Sequence, residues 1–314
     1  MSDAWILTTT DLAALGVGDK AVRQLLKEGT LIQLRRGFYR RPLPSDTQDF
    51  SHWPIGEPEH RHRFLIDATL PTLSTGTVFS HISAATLHGL PVPVGLLRRA
   101  SVLRDGSGSG AISRTTHRRY APLPVEHRTE IDGLPVTTLV RTAVDLGRTL
   151  PFPDAVAVMD AALAKGVERD ALLDALGSRR PHNAKARAAI AFADPKAESP
   201  GESRCRATMK LAGVPIPTLQ FVVTNTAGEH VARTDFAWED HGVVGEFDGR
   251  VKYGRLLKPG LSVDDVITAE KAREGRIREC DWWIGRWITD DLRTIDEFRA
   301  SVLATLALGH RRSA

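Results

Sequence analysis

The chain has 314 residues, 42% of them apolar and 25% charged, which suits two or three compact units and excludes a disordered polymer. No run approaches the roughly 18 consecutive apolar residues of a membrane span, and the opening MSDAWILTTTDL lacks a basic segment followed by an apolar one, so a cytoplasmic protein with no membrane partner is expected. The net charge of +4 is unevenly placed: Asp19 to Arg41 holds seven basic residues against two acidic ones.

In chain order, Thr10-Asp11 caps a short helix through Leu12, Ala13 and Leu15 that ends at Gly16. Gly18-Asp19 opens a second helix, with Val22, Leu25 and Leu26 on one face, Lys20, Arg23 and Lys27 exposed, and Gly29 as its stop. Leu31, Ile32 and Leu34, then Phe38 and Tyr39, read as two strands around the basic turn Arg35-Arg36-Gly37. Helix, turn, helix and β-wing is the winged helix-turn-helix order, here over residues 1–41. A positive field of this kind attracts phosphate backbones. Double-stranded DNA is therefore the expected partner, with Lys20, Arg23, Lys27, Arg35, Arg36 and Arg40 as candidate contacts. A solvated surface helix is the plain alternative.

The run DLAALGVGDKAVRQLLKEGTLIQLRRGFYR, ending in G-x-L-x-x-L-x-R-G-x-Y, resembles the N-terminal winged helix of AbiEi-type antitoxins of type IV toxin–antitoxin systems. The resemblance implies repression of its own operon and opposition to a nucleotidyltransferase-type toxin. A homodimer fits a repressor on a palindromic site.

Residues 41 to 58 read as a linker. An α+β middle domain follows over 59–193, with helical patterns at 60–70, 79–88, 138–149, 153–165 and 168–177, and strands around 100–104, 112–118 and 130–137. Its SHISAATLHGL and GLPVTTLVRTAVDL segments resemble ones that accompany this antitoxin-type winged helix, without evident chemistry. His81 and His88 share a helical face but have no metal-ligand partners beside them, so packing is the expected role. Gly106 to Gly110 reads as a hairpin tip rather than a phosphate loop. Arg98, Arg99, Arg104, Arg114, Arg118 and Arg119, opposed nearby by Asp105, form a second basic cluster that either extends a DNA footprint or is solvated. A Pro/Gly-rich stretch at 194–201 marks a domain boundary.

Over 199–308 the expected order is a helix from Glu202 to about Ala212, strands at 219–224, 231–238 and 243–247, a helix at 264–278, a strand at 282–287 and a helix at 295–308. This α-β-β-β-α-β order is that of a restriction-endonuclease-like α/β core. Glu246 and Asp248 alternate onto one face of their strand, and Asp235 lies mid-strand next door. Converging carboxylates are costly without a cation, and hard oxygen ligands favour Mg²⁺ or Mn²⁺. Asp235, Glu246 and Asp248, with Glu202, are the candidate metal ligands. The alternative is that these carboxylates satisfy turns and ion pairs. Trp238, Trp282, Trp283 and Trp287 read as core, and Cys205 and Cys280 as structural thiols.

ARTDFAW, GEFDGRVKY and AEKAREGRIRE resemble the Vsr-like nucleases of the PD-(D/E)xK superfamily. That resemblance implies metal-dependent phosphodiester hydrolysis with Asp235, Glu246 and Asp248 at the catalytic centre. Asp248 stands where that superfamily commonly has Lys, so Lys252 or Lys271 would supply the cation. The whole reads as an α+β multidomain protein, either an antitoxin-like repressor or a winged-helix-targeted endonuclease.

Overall fold

The computed structural model describes residues 6–41, 57–177, 180–249 and 263–309. The chain forms two compact units, 1–146 and 147–314, each mixing helices with β-sheet, so the multidomain α+β class holds.

In the first unit, β1 (Leu7–Thr8) leads into α1 (Thr9–Ala14). The cap is Thr8 rather than Thr10: its Oγ1 accepts from Asp11 N at 3.1 Å, and Thr8 N donates to the Asp11 carboxylate at 2.8 Å. This reciprocal pair satisfies donors that a helix start leaves open. The bond from the Thr8 backbone, then that from its hydroxyl, holds the Asp11 carboxyl below its ordinary range. Then come α2 (Asp19–Lys27), β2 (Ile32–Arg35) and β3 (Phe38–Arg40), with strand order β1-β3-β2. Gly37 reverses the chain at φ 81°, a conformation that favours glycine. Leu12, Val22, Leu31 and Tyr39 are the buried centre of this module.

The rest of the unit comprises α3 (Glu57–Thr69), β4 (Thr77–Phe79), α4 (His81–His88), β5 (Ala100–Arg104), β6 (Ala111–Ile112), β7 (Thr116–Tyr120), β8 (Arg128–Ile131), β9 (Leu134–Thr137) and α5 (Leu139–Thr149), within which the unit boundary falls. The six strands form a mixed sheet, β6-β7-β5-β4-β9-β8, on which Leu65 and Ile66 of α3 pack with Phe79, Val102 and Val136. The strand expected over 130–137 is a hairpin. Asp132 and Gly133 take φ 51° and 75°, as a two-residue type I′ turn requires, and Ile131 pairs with Leu134 across them. Gly106 to Gly110 is not a hairpin tip: β5 and β6 are not neighbours, and β6 instead turns back onto β7.

In the second unit, α6 (Phe152–Ala164), α7 (Arg169–Asp174) and α8 (Asn183–Phe192) precede α9 (Pro200–Ala212). The sequence places a boundary at 194–201, yet these helices share one unit across it. Arg206 on α9 meets Asp160 on α6 at 3.1 Å, both buried, and lies 4.3 Å from the Phe192 ring centre. Separating the elements there would leave a desolvated charge without its partner.

The sheet that follows contains β10 (Thr218–Thr224), β11 (His230–Trp238), β12 (Val243–Asp248) and β13 (Trp283–Ile288) in that order, with α10 (Val263–Glu279) crossing over to the parallel β13 and α11 (Ile295–Leu308) closing the chain. One sheet face packs Phe236, Trp238 and Trp287 against Cys205 and Met209 of α9 and Phe298 and Val302 of α11. The other packs Val223, Val244 and Ile284 against Ile277 of α10. Trp238, Trp282 and Trp287 are buried, as the core reading requires, and Trp283 is half-buried beneath the Arg278 guanidinium. Burial also pushes the Cys205 thiol up.

Candidate nucleic-acid interface and carboxylate cluster

On α2, Lys20, Arg23 and Lys27 are exposed, and their spacing of three and four residues aligns them along one face. The opposite face is fixed by Val22, Leu25 and Leu26 in the module core, so burial of the apolar stripe turns the three cations outward. Arg36, at the β2–β3 turn, is exposed as well.

The other two candidate contacts face the protein itself. Arg35 is half-buried and donates to Thr72 Oγ1 at 2.9 Å, with its guanidinium 5.6 Å from the Phe38 ring centre. Arg40 is only 2% exposed, and its guanidinium sits 4.6 Å from the ring centre of Phe64 on α3. Charge counting placed Arg40 among the DNA contacts. Its burial makes it instead a tie between the N-terminal module and α3.

His81 and His88 do not converge. Nδ1 of His81 meets Ser80 Oγ at 3.1 Å, and Nε2 of His88 meets the Thr137 carbonyl at 2.7 Å, in keeping with packing roles.

In the second unit the sheet register brings the carboxylates together. Phe236 pairs with Gly245, which sets Asp235 beside Glu246, and Asp235 Oδ2 accepts from Phe247 N at 2.8 Å. Burial raises the Asp235 carboxyl to about 6 against that hydrogen bond, and Glu202, Glu246 and Asp248 all push the same way. Glu202, buried on α9, accepts from Glu198 N and from Gln220 Nε2, each at 2.9 Å. Asp248 is exposed at the end of β12. Lys252 lies outside the described residues, and Lys271 is exposed on α10.

A metal ion does not fit this arrangement. Arg273 of α10 meets Glu246 Oε1 at 2.5 Å, and Arg286 of β13 meets Oε2 at 3.3 Å, so two guanidiniums already neutralise one of the four carboxylates expected as ligands. Among the described residues no group of three His, Cys, Asp or Glu side chains could hold a metal.

Gln220, Arg273 and Arg286 escaped sequence reading. Gln220 takes φ 54° within β10, an irregularity that no residue type announces. Arg286 did leave a signal, as the charged residue inside the apolar strand WIGRWI. It pairs in register with Glu246 across the parallel strands.

Residues 3–42 match the family described as "Transcriptional regulator, AbiEi antitoxin". That match covers the α1–α2–β2–β3 module and supports an AbiEi-type antitoxin character for the N-terminal part. Two relatives from Mycobacterium tuberculosis, the uncharacterized proteins MT2308 of strain CDC 1551 / Oshkosh and Rv2248 of strain ATCC 25618 / H37Rv, are 31% identical over 166 residues. The match takes in 52% of this chain and 58% of each relative, so the chain spans little more than half their length. The crystal structure of the RV2827C protein from Mycobacterium tuberculosis aligns at a TM-score of 0.38 with 17% identity, covering 68% of this chain and 78% of that one. Among the described residues no helix is long and apolar enough to cross a membrane.

Proposed function

We propose that the protein is a DNA-binding regulator of the AbiEi antitoxin type, whose N-terminal winged helix binds operator DNA through α2 and represses its own toxin–antitoxin operon. The observation that carries this reading is the exposed Lys20, Arg23 and Lys27 face of α2, within the segment that matches the antitoxin family. The short α1, the turn, α2 and the β2–β3 wing supply the order in which a second helix enters the major groove. Arg36, at the wing tip, would meet the flanking backbone. A nucleotidyltransferase-type toxin is the functional counterpart in this reading, and a homodimer matches a two-fold operator. Gel-shift titration of duplex DNA from upstream of the gene tests it: retardation lost on replacing Lys20, Arg23 and Lys27 by Ala supports the reading, and equal retardation refutes it.

The alternative is a Mg²⁺- or Mn²⁺-dependent endonuclease of the PD-(D/E)xK class, delivered by the same module. The placing of Asp235 beside Glu246 across paired strands favours it. The pairing of Glu246 with Arg273 and Arg286 counts against it. Plasmid nicking in Mn²⁺, abolished by Asp235→Ala/Glu246→Ala, would reinstate the enzyme.

A further inference from the structure

The sheet of the first unit holds a guanidinium with one nitrogen that has no acceptor among the described residues. Arg119, on β7, is half-buried, and its Nη1 is sealed from solvent yet has no hydrogen-bond partner among the described residues. Burial pulls this guanidinium down to about 10, with Asp145 partly opposing the shift. Asp145 is already engaged: it accepts from Arg141 Nε at 2.7 Å, and both side chains are buried. A guanidinium desolvated in this way is stabilised by an anion at its exposed side, whose negative charge acts on the whole delocalised group.

The surroundings extend this site to the surface. His117 lies two residues before Arg119 on β7, hence on the same strand face, and pairs in register with Ser101 as Arg119 does with Leu103. Burial, then Arg119 and Arg99, push the His117 imidazole below its usual range, so it is a neutral hydrogen-bonding group at pH 7. Arg99 is exposed, with its Nε donating to Ser113 O at 2.9 Å. Arg98 and Arg114 are exposed too, whereas Arg104 and Arg118 alternate onto the opposite face of their strands, and Asp105, the nearby carboxylate in sequence, sits 3.6 Å from Arg128. The exposed Arg99 beside the half-buried Arg119, with Arg98 and Arg114 near in sequence, suits a polyanion better than a single small ion.

We propose that Arg119, His117 and Arg99 form a seat for a backbone phosphate of duplex DNA, a second point of contact on the sheet of the first unit, distinct from α2. The proposal rests on the DNA-binding reading above and extends it from the N-terminal module to this sheet.

The test is fluorescence anisotropy of the full chain with a labelled duplex of mixed sequence, titrated over a range of salt concentrations for wild type, Arg119→Met, Arg99→Ala and Lys27→Ala. Loss of one phosphate contact lowers the slope of log K against log salt by about 0.9, which weakens binding about threefold for each fourfold dilution of salt that would otherwise have favoured it. Arg119→Met is expected to show that loss while melting at or above the wild-type temperature, because it removes a desolvated charge; a merely structural role for Arg119 would lower the melting temperature. Should Arg119→Met fold poorly, Arg99→Ala, at an exposed position, decides the matter through the same slope. Wild-type slopes in the folded variants, with a reduced slope in Lys27→Ala, would overturn the phosphate seat and leave the DNA-binding reading standing. No binding by wild type would overturn both.

Discussion

The guanidinium of Arg40 lies 4.6 Å from the Phe64 ring centre, buried inside the first unit. Two arginines four positions apart, Arg36 and Arg40, therefore do different work. Arg40→Ala is expected to destabilise the first unit by about 1–2 kcal/mol, the range of a desolvated cation–π contact. Arg36→Ala is expected to leave stability unchanged and to weaken DNA binding. Chemical denaturation followed at both variants checks this; equal stability of the two would remove Arg40 from its packing role.

Asp235 predicts a pH dependence of defined sign. Its folded value of about 6 lies above the ordinary 3.8, so the native state retains a proton that the unfolded chain has released. The penalty from ionising it is absent below about pH 4, grows as pH rises through 6 and is complete above that. For a half-buried carboxyl the cost, discounted for solvent screening, is about 1 kcal/mol. Asp235→Asn should then raise the melting temperature by about 2–4 °C at pH 7.5 in EDTA, with no gain at pH 4. A gain of the same size at both values would contradict the assignment.

The ion pairs on Glu246 make a prediction about metals. Wild-type protein should show no heat of Mn²⁺ binding in calorimetry, because Arg273 and Arg286 occupy both Glu246 oxygens. Arg273→Ala/Arg286→Ala leaves Glu246 without its two cations beside Asp235 and should acquire Mn²⁺ binding. Stoichiometric binding by wild type would show that the guanidiniums yield to the metal.

Arg206 and Asp160 form the buried pair that unites α6 with α9. Burial raises the Asp160 carboxyl, Arg206 opposes the rise, and removing Arg206 leaves the carboxyl desolvated alone. Arg206→Met is expected to cost about 3–5 kcal/mol, much of it recovered in Arg206→Met/Asp160→Leu. A loss below 1 kcal/mol, a value far under the range for a broken buried pair, would show that the pair does not unite these helices.

The second unit was the more legible in sequence. Its strands are largely apolar and are separated by turn residues, so β10 to β13 fall within a residue or two of their expected bounds. Asp235, Glu246 and Asp248 could be brought together from alternation alone, whereas the guanidiniums that neutralise Glu246 come from α10 and β13 and depend on a crossover that local pattern does not encode. In the first unit, β4 has only three residues, Thr77 to Phe79, too few for a period to register. The Asp132-Gly133 pair marks its turn by residue type, although the flanking Ile131 and Leu134 let the segment read as one continuous strand. Arg40 shows the limit of charge counting: sequence records the charge, and only packing against Phe64 decides that it faces inward.

Binding of DNA through the outward cations of α2 is put to the test by a gel-shift titration with duplex DNA from upstream of the gene, comparing wild type with Lys20→Ala/Arg23→Ala/Lys27→Ala. Wild type should form a salt-sensitive complex, and the folded triple variant should bind much more weakly with a salt slope smaller by about 2–3, close to 0.9 per lost phosphate contact. Equal affinity and equal slope for the two proteins would contradict it.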